Sequence, residues 1–250
     1  MKKTIKKALQ EKRSLLSEEE AKEFIEMYGI KTTKPIVAKN EKEAVKIAEE
    51  IGFPVVMKIH SPDITHKSDS GGVILDLQCA ETVKQAYKDM IKKVKEKVPD
   101  ADIHGVTIQK MIKNKGTELI IGSKKDPIFG STILFGMGGI YTELFKDRAI
   151  GFPPLNQVLA QRIIEKTKAN KLLKGFRGLP PVNMQKVEET LINFSQMIID
   201  HPEIKEVDIN PLIASGDDLI AVDARIVLDD QPWNKPHLVI SAYPLSLIHI

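Results

Sequence analysis

Apolar and polar positions follow two rhythms along this chain, and the switches between them mark its elements. Ala21, Phe24, Ile25 and Tyr28 recur at helical spacing behind Ser17-x-x-Glu20, a reciprocal capping pair, and Gly29 ends that helix. After a short strand over Pro35 to Ala38, Asn40 caps a second helix with Ala44, Ile47, Ala48 and Ile51 on its inner face, and Gly52 stops it. Pro54 leads into a buried strand ending at Lys58, and a second strand runs from Val73 to Leu77. A long helix from about Glu81 carries Val83, Ala86, Tyr87, Met90 and Val94 as its stripe. Val106, Ile108 and Met111 then alternate with Thr107, Gln109 and Lys110, the period of a strand.

Further strands are predicted over Glu118–Ile121 and Thr132–Phe135, separated by a turn at Asp126-Pro127, with G-M-G-G at 136–139 opening a helix or turn. Helices over Asn156–Lys168 and Met184–Ile199 and strands at Val207–Ile209 and Leu219–Val222 complete the pattern. Pro180-Pro181 mark a change of direction, and neither an internal repeat nor a low-complexity linker occurs. The reading is an α+β fold of two lobes, residues 17–112 and 113–230, after a basic extension (1–16) and before a tail (231–250).

The loop between Lys58 and Val73 holds Asp63, His66, Lys67, Ser68, Asp69, Gly71 and Gly72 and almost nothing apolar. A donor-rich loop between two apolar strands is where a rigid scaffold supports a binding site. Glycines beside hydroxyls let backbone N–H groups approach an anion, and Lys58 adds positive charge, so the loop reads as phosphate-handling. It is neither a Walker A motif nor a dinucleotide fingerprint, because its glycines lead into a strand.

A second constellation lies in E-V-D-I-N-P-L-I-A-S-G-D-D-L-I-A-V-D-A-R, residues 206–225, a hairpin turning at Ser215-Gly216-Asp217. Asp208 and Asn210 are two apart and share a strand face, and Asp223 can stand opposite them. The bland alternative is a turn sequence with a strand-end aspartate. Beside a phosphate loop, the same hard oxygen donors suit Mg²⁺, which takes one or two protein carboxylates and completes its shell with phosphates and water.

Composition then excludes several classes. The 250 residues suit one large or two small domains, and no apolar run approaches a membrane span. With 37 basic against 34 acidic residues, charge gives no argument for nucleic acid. Lys2, Lys3, Lys6, Lys7, Lys12 and Arg13 form a solvated helix face or frayed terminus, or else a partner contact, without the apolar core of a secretory signal. A single cysteine, Cys79, precludes an internal disulfide and fits the reducing cytoplasm; following an apolar strand, it is expected to pack as a small hydrophobe.

Three motifs, S-P-D-I-T-H-K-S-D-S-G-G-V, then V-T-I-Q-K-M-I with G-T-E-L-I-I-G-S-K-K-D-P-I-F-G-S-T-I-L-F-G-M-G-G-I, then E-V-D-I-N-P-L with V-D-A-R, occur in order. Together they resemble the nucleotide-binding β subunit of ADP-forming acetyl-CoA synthetases, ATP-grasp proteins related to succinyl-CoA synthetase, over roughly residues 15–230. The resemblance implies ATP or ADP held between two α+β lobes. It implies that Lys58 contacts phosphates, that Ser68 to Gly72, with Gly71 and Gly72, form the closing loop, and that Gln109, Lys110 and Met111 form the adenine-reading hinge. Glu118 is implicated in ribose binding or structure, and Asn210 and Asp223 in Mg²⁺ ligation. Asp208 stands where relatives carry a glutamate orienting a visiting phosphohistidine, and His66 where a second phosphorylated histidine is proposed, with Asp63 or Asp69 as its partner. His60, His104, His201 and His237 carry no such pattern and are expected to be structural or exposed.

Neither a G-x-G-x-x-G CoA-binding fold nor a second ligase domain is present. The resemblance therefore implies half of acyl-CoA + ADP + phosphate ⇌ acid + ATP + CoA, active only with an α subunit, as α2β2, without nucleic acid or membrane. The alternatives are the ATP-grasp part of a fused synthetase and a non-catalytic nucleotide-sensing module; retention of His66, Asp208, Asn210 and Asp223 together argues for catalysis. The last six residues, L-S-L-I-H-I, depart from the family ending and read as artefactual sequence.

Overall fold

The computed structural model describes residues 2–64, 67, 70–112, 116–139, 147–177 and 179–229. They fall into two compact units, one of residues 33–113 and one combining 1–32 with 114–250. The sequence pattern divided the chain after residue 112; the units divide it after residue 113, and the first 32 residues belong with the second unit. The cause is in α1 (Lys2–Gln10) and α2 (Glu18–Glu26). Ile5, Ala8, Phe24 and Ile25 are buried in one core with Leu119, Phe135, Leu191 and Phe194, while Lys6 and Lys7 stay exposed. Residues 14–16 run along a later strand, with Leu16 N–H donating to the Ile226 carbonyl and Leu228 N–H to that of Ser14. The capping pair is present as expected: Ser17 Oγ accepts from Glu20 N–H at 3.2 Å, and Glu20 accepts from Ser17 N–H at 2.8 Å. β1 is short (Lys31–Thr32) and pairs parallel with a strand near the other end of the chain.

The smaller unit contains β2 (Ile36–Ala38), α3 (Glu41–Ile51), β3 (Val55–His60), β4 (Val73–Leu77), α4 (Ala80–Lys97) and β5 (Gly105–Lys110). Its antiparallel sheet has the order β2-β5-β3-β4. Ala44, Ala48, Val83 and Met90 of the helices pack on Val55, Met57, Ile59, Val106 and Ile108, so one sheet face is an apolar core. The alternate positions, Val56, Lys58, Thr107 and Gln109, are also buried, which explains why β3 and β5 lack a clean alternation. Cys79 corrects the expectation of a packed thiol: it is exposed, at the N-cap of α4.

The larger unit continues with β6 (Thr117–Asp126), β7 (Gly130–Met137), β8 (Arg148–Gly151), α5 (Gln157–Glu165), α6 (Ala169–Leu173), α7 (Met184–Asp200), β9 (Ile204–Ser215), β10 (Asp218–Ala221) and β11 (Arg225–Leu228). The helix expected over 156–168 ends earlier, and α6 follows as a separate turn of helix. Strand order is β1-β10-β9-β6-β7-β8, with β11 pairing the first half of β9 and β10 its second half. Alternation divides this sheet cleanly. Leu119, Ile121, Ile133, Phe135, Ala149, Val207, Ile209 and Ile226 enter the helix-covered core. Glu118, Gly122, Gly136, Arg148, Asp208 and Arg225 therefore lie on the opposite face.

Candidate functional site

In the smaller unit, Lys58 sits inside β3 rather than at its end, between Val73 on β4 and Thr107 on β5, and is 5% exposed. Burying an ammonium is costly unless it is compensated, so such a lysine marks a polar site on an otherwise apolar strand. His66 and Ser68 lie outside the described residues, as does Asp69. The described part of the loop is tied back on itself: Gly72 N–H and Ser70 Oγ both donate to the Lys67 carbonyl, at 2.7 and 2.9 Å. Gly71 has φ +75°, and a Cβ on Gly72 would collide with the Ile59 side chain, so both glycines are demanded by the fold as well.

The hinge segment separates backbone from side chain. Gln109 is fully buried. Lys110 Nζ turns back to the C-terminus of α3 and donates to the Gly52 carbonyl at 2.6 Å, where the helix dipole favours a cation. Met111 N–H donates to the Pro54 carbonyl at 3.2 Å, so that amide is engaged within the sheet. That bond makes Lys110 and Val55 a non-hydrogen-bonded pair, which aims the Lys110 amide and carbonyl away from β3.

In the larger unit the open face is built around a bulge. Leu119 and Ile121 of β6 face Leu212 and Ile209 of β9, so β9 carries one extra residue at Asn210-Pro211. Inward positions switch accordingly from Val207 and Ile209 to Leu212 and Ala214. Asp208 and Asn210 are thereby half-buried on the open face, with Arg225 directly opposite Asp208. Val222 N–H donates to the Pro211 carbonyl at 3.0 Å, carrying Asp223 to the bulge in the gap between β10 and β11.

The G-M-G-G segment meets the same point. Gly138 N–H donates to the Glu118 carbonyl at 2.8 Å and Gly139 N–H to Asn210 Oδ1 at 2.9 Å. Gly139 has φ +61°, and the Glu118 carboxylate lies where its Cβ would be. Glu118, Gly139 and Asn210 are therefore one cluster. Burial, reinforced by the Asp223 and Glu206 carboxylates, pushes the Asp208 carboxyl above the ordinary aspartate range, with Arg225 and Arg148 acting against that rise.

Among the described residues, no three His, Cys, Asp or Glu side chains form a metal cluster. Asp208, Asn210 and Asp223 instead give two carboxylates and an amide oxygen, a set that fits Mg²⁺ with phosphates completing its shell. Arg148 and Arg225 were not anticipated on this face, because β8 and β11 were not expected as strands; the signal was the D-R after the central motif and the arginine that closes V-D-A-R.

Residues 7–228 match the model of the ATP-grasp domain family. The chain is 43% identical over 224 residues to the β subunit of acetate–CoA ligase [ADP-forming] I from Pyrococcus furiosus, covering 90% of this chain and 96% of that one. It is 45% identical to 4-hydroxybutyrate–CoA ligase [ADP-forming] of Nitrosopumilus maritimus, covering 91% of this chain but 33% of that longer protein. A structure of dinucleotide forming acetyl-coenzyme A synthetase 1 from Ca. Korarchaeum cryptofilum, in complex with coenzyme A and Ca-AMPCP, superposes with TM-score 0.87 at 45% identity, covering 91% of this chain and 99% of that one. A second structure of that synthetase, TM-score 0.79 at 40% identity with the same coverage, holds Mg-AMPPCP with a phosphohistidine segment pointing towards the nucleotide binding site. The chain belongs to the ATP-grasp family, among the β subunits of the ADP-forming acetate–CoA ligases.

Proposed function

We propose that this chain carries the nucleotide half of an ADP-forming acyl-CoA synthetase, moving a phosphoryl group between a histidine and the terminal phosphate of ADP. The bulge that brings Asp208, Asn210 and Asp223 to one place on the open face carries this reading. Asn210 and Asp223 hold Mg²⁺ on the nucleotide, and the ion supplies charge neutralisation when bound. Asn210 is fixed for that task through the Gly139 amide. Glu118 buttresses the same cluster, a structural role.

In the smaller unit, Lys58 and the backbone of the Ser68–Gly72 loop contact phosphates, and Gln109 and Lys110 form the adenine-reading segment. With the Met111 amide engaged by Pro54, the outward-facing Lys110 backbone is the group that reads the base edge. His66 is the site of the second phosphorylated histidine, which needs a neutral imidazole held in one tautomer.

Asp208 acts on the visiting imidazole. As the N–P bond breaks, its electron pair returns to the ring nitrogen; the other ring nitrogen keeps its proton, hydrogen-bonded to the Asp208 carboxylate, and the imidazole leaves neutral. The new P–O bond forms to the diphosphate. Acyl chemistry belongs to an α subunit, present as a separate chain beside this one or fused to it as in longer relatives, and α2β2 is the proposed assembly. The lone cysteine supports a cytoplasmic location.

The test is labelling with Mg-ATP carrying a labelled γ-phosphate, with and without an α subunit, in wild type and His66→Ala. Acid-labile, base-stable label lost in the variant is the expected result. Nucleotide binding with no label under any condition would reject transfer and leave a binding module.

A further inference from the structure

We propose that Arg148 and Arg225 together form a receptor for the phosphoryl group of a phosphorylated imidazole presented at Asp208. The inference rests on the phosphoryl-transfer reading above and adds the groups that recognise the incoming dianion.

Sheet register places both arginines. Arg225 on β11 stands directly opposite Asp208 on β9, and Gly122 on β6 stands on its other side. In the neighbouring row Arg148 on β8 faces Gly136 on β7, which faces Ile120 on β6 beside the Asn210 bulge. Strands lie about 4.8 Å apart, so Arg148 begins three strands, about 14 Å, from β9, and its long arm shortens that gap. Gly122 and Gly136 bring no side chain to this face, and Ile120 and Leu134 are the side chains on it between the strands of Arg148 and Asp208. Arg225 and Arg148 thus stand on strands to either side of Asp208 on one sheet face.

Neither arginine is needed to hold the fold. Arg148 is exposed, and no hydrogen bond or ion pair engages it among the described residues. Arg225 has a side chain 46% exposed and a loose contact with Glu206 at 3.7 Å. Exposed pairs at such distances contribute little stability.

The chemistry requires them. Asp208, Asp223 and Glu206 make this corner of the face acidic, and a phosphoryl dianion brought there meets repulsion unless cations offset it. Guanidinium groups suit that task because their planar donors bind phosphoryl oxygens two at a time. A nucleotide phosphate has the same oxygens, so the experiment must separate the two sources.

The probe is N-phosphoimidazole as phosphoryl donor to Mg-ADP, followed by ATP formation, with Mg-ADP affinity measured separately by calorimetry on the full chain. Arg148→Ala and Arg225→Ala are expected to raise KM for the donor at least tenfold, with Mg-ADP Kd unchanged within twofold and melting temperature unchanged. Arg→Lys at either position is expected to recover only part of the loss. Donor KM equal to wild type in both alanine variants would overturn the receptor. An equal loss of Mg-ADP affinity would assign the arginines to nucleotide phosphates and overturn it too. If wild type makes no ATP from the donor while histidine still exchanges label with Mg-ATP, the receptor alone fails; loss of both signals rejects the transfer reading itself.

Discussion

Lys110 illustrates how one residue can serve fold and site through different atoms. Its ammonium closes the C-terminus of α3 at Gly52, and its backbone faces away from β3. Lys110→Ala should therefore lower stability by about 0.5–1 kcal/mol, read by thermal unfolding, with nucleotide affinity nearly unchanged. A large affinity loss would mean that the side chain, not the backbone, contacts the base. Gly139 is the opposite case, a residue whose lack of a side chain is the point. Gly139→Ala puts a Cβ into the Glu118 carboxylate at φ +61°, costing about 1–3 kcal/mol and weakening Mg-nucleotide binding by about tenfold, measurable by calorimetry.

Asp208 makes a pH-dependent prediction. The folded chain holds the Asp208 proton more tightly than the unfolded chain does, so its ionised form lowers stability. That penalty is absent below the ordinary aspartate range, grows as pH rises through it and is complete above the raised folded value. Asp208→Asn in metal-free buffer should melt higher than wild type at pH 8, and the difference should shrink towards pH 4. The shared face of Asp208 and Asn210 was legible from their spacing alone. The bulge that aims Asn210 was not, because it depends on which β6 residues stand opposite.

At the scale of elements, whatever carries its own local signal was legible. Ser17 and Asn40 announce their helices through side chains that accept from Glu20 and Glu43, and both helices begin where expected. Ser17→Ala should cost about 1 kcal/mol in thermal or denaturant unfolding. β8 and β11 were illegible for a physical reason. Each is four residues long, and pairing with an earlier strand is what makes it a strand. Short strands of this kind owe their existence to register, which a local window cannot contain. Cys79 failed similarly: the apolar run before it suggested burial, whereas the start of α4 turns it outwards.

For the molecule as a whole, the alternation of helix and strand signals up to about residue 112, followed by dense strand signals, suggested two α+β parts, and the chain forms units of 33–113 and of 1–32 with 114–250. The membership of residues 1–32 was not readable, since a lysine-rich helix looks like a tail until Ile5 and Ala8 are seen in the core. Ile5→Ala should therefore destabilise the larger unit by about 2–4 kcal/mol, a value in the range for core truncations and far above that for a tail, as measured by denaturant unfolding. No helix among the described residues is long and apolar enough to cross a membrane.

The parallel pairing of β1 with β10 sets an order of events during synthesis. Lys31 meets Asp218, 187 positions later in sequence, so the larger unit lacks an edge partner until nearly the whole chain has left the ribosome. Residues 33–113 depend on no such distant contact for their four-stranded sheet. Nascent chains released after about residue 150 should thus carry a protease-resistant 33–113 segment while their first 32 residues are still cleaved, because contacts distant in sequence form late.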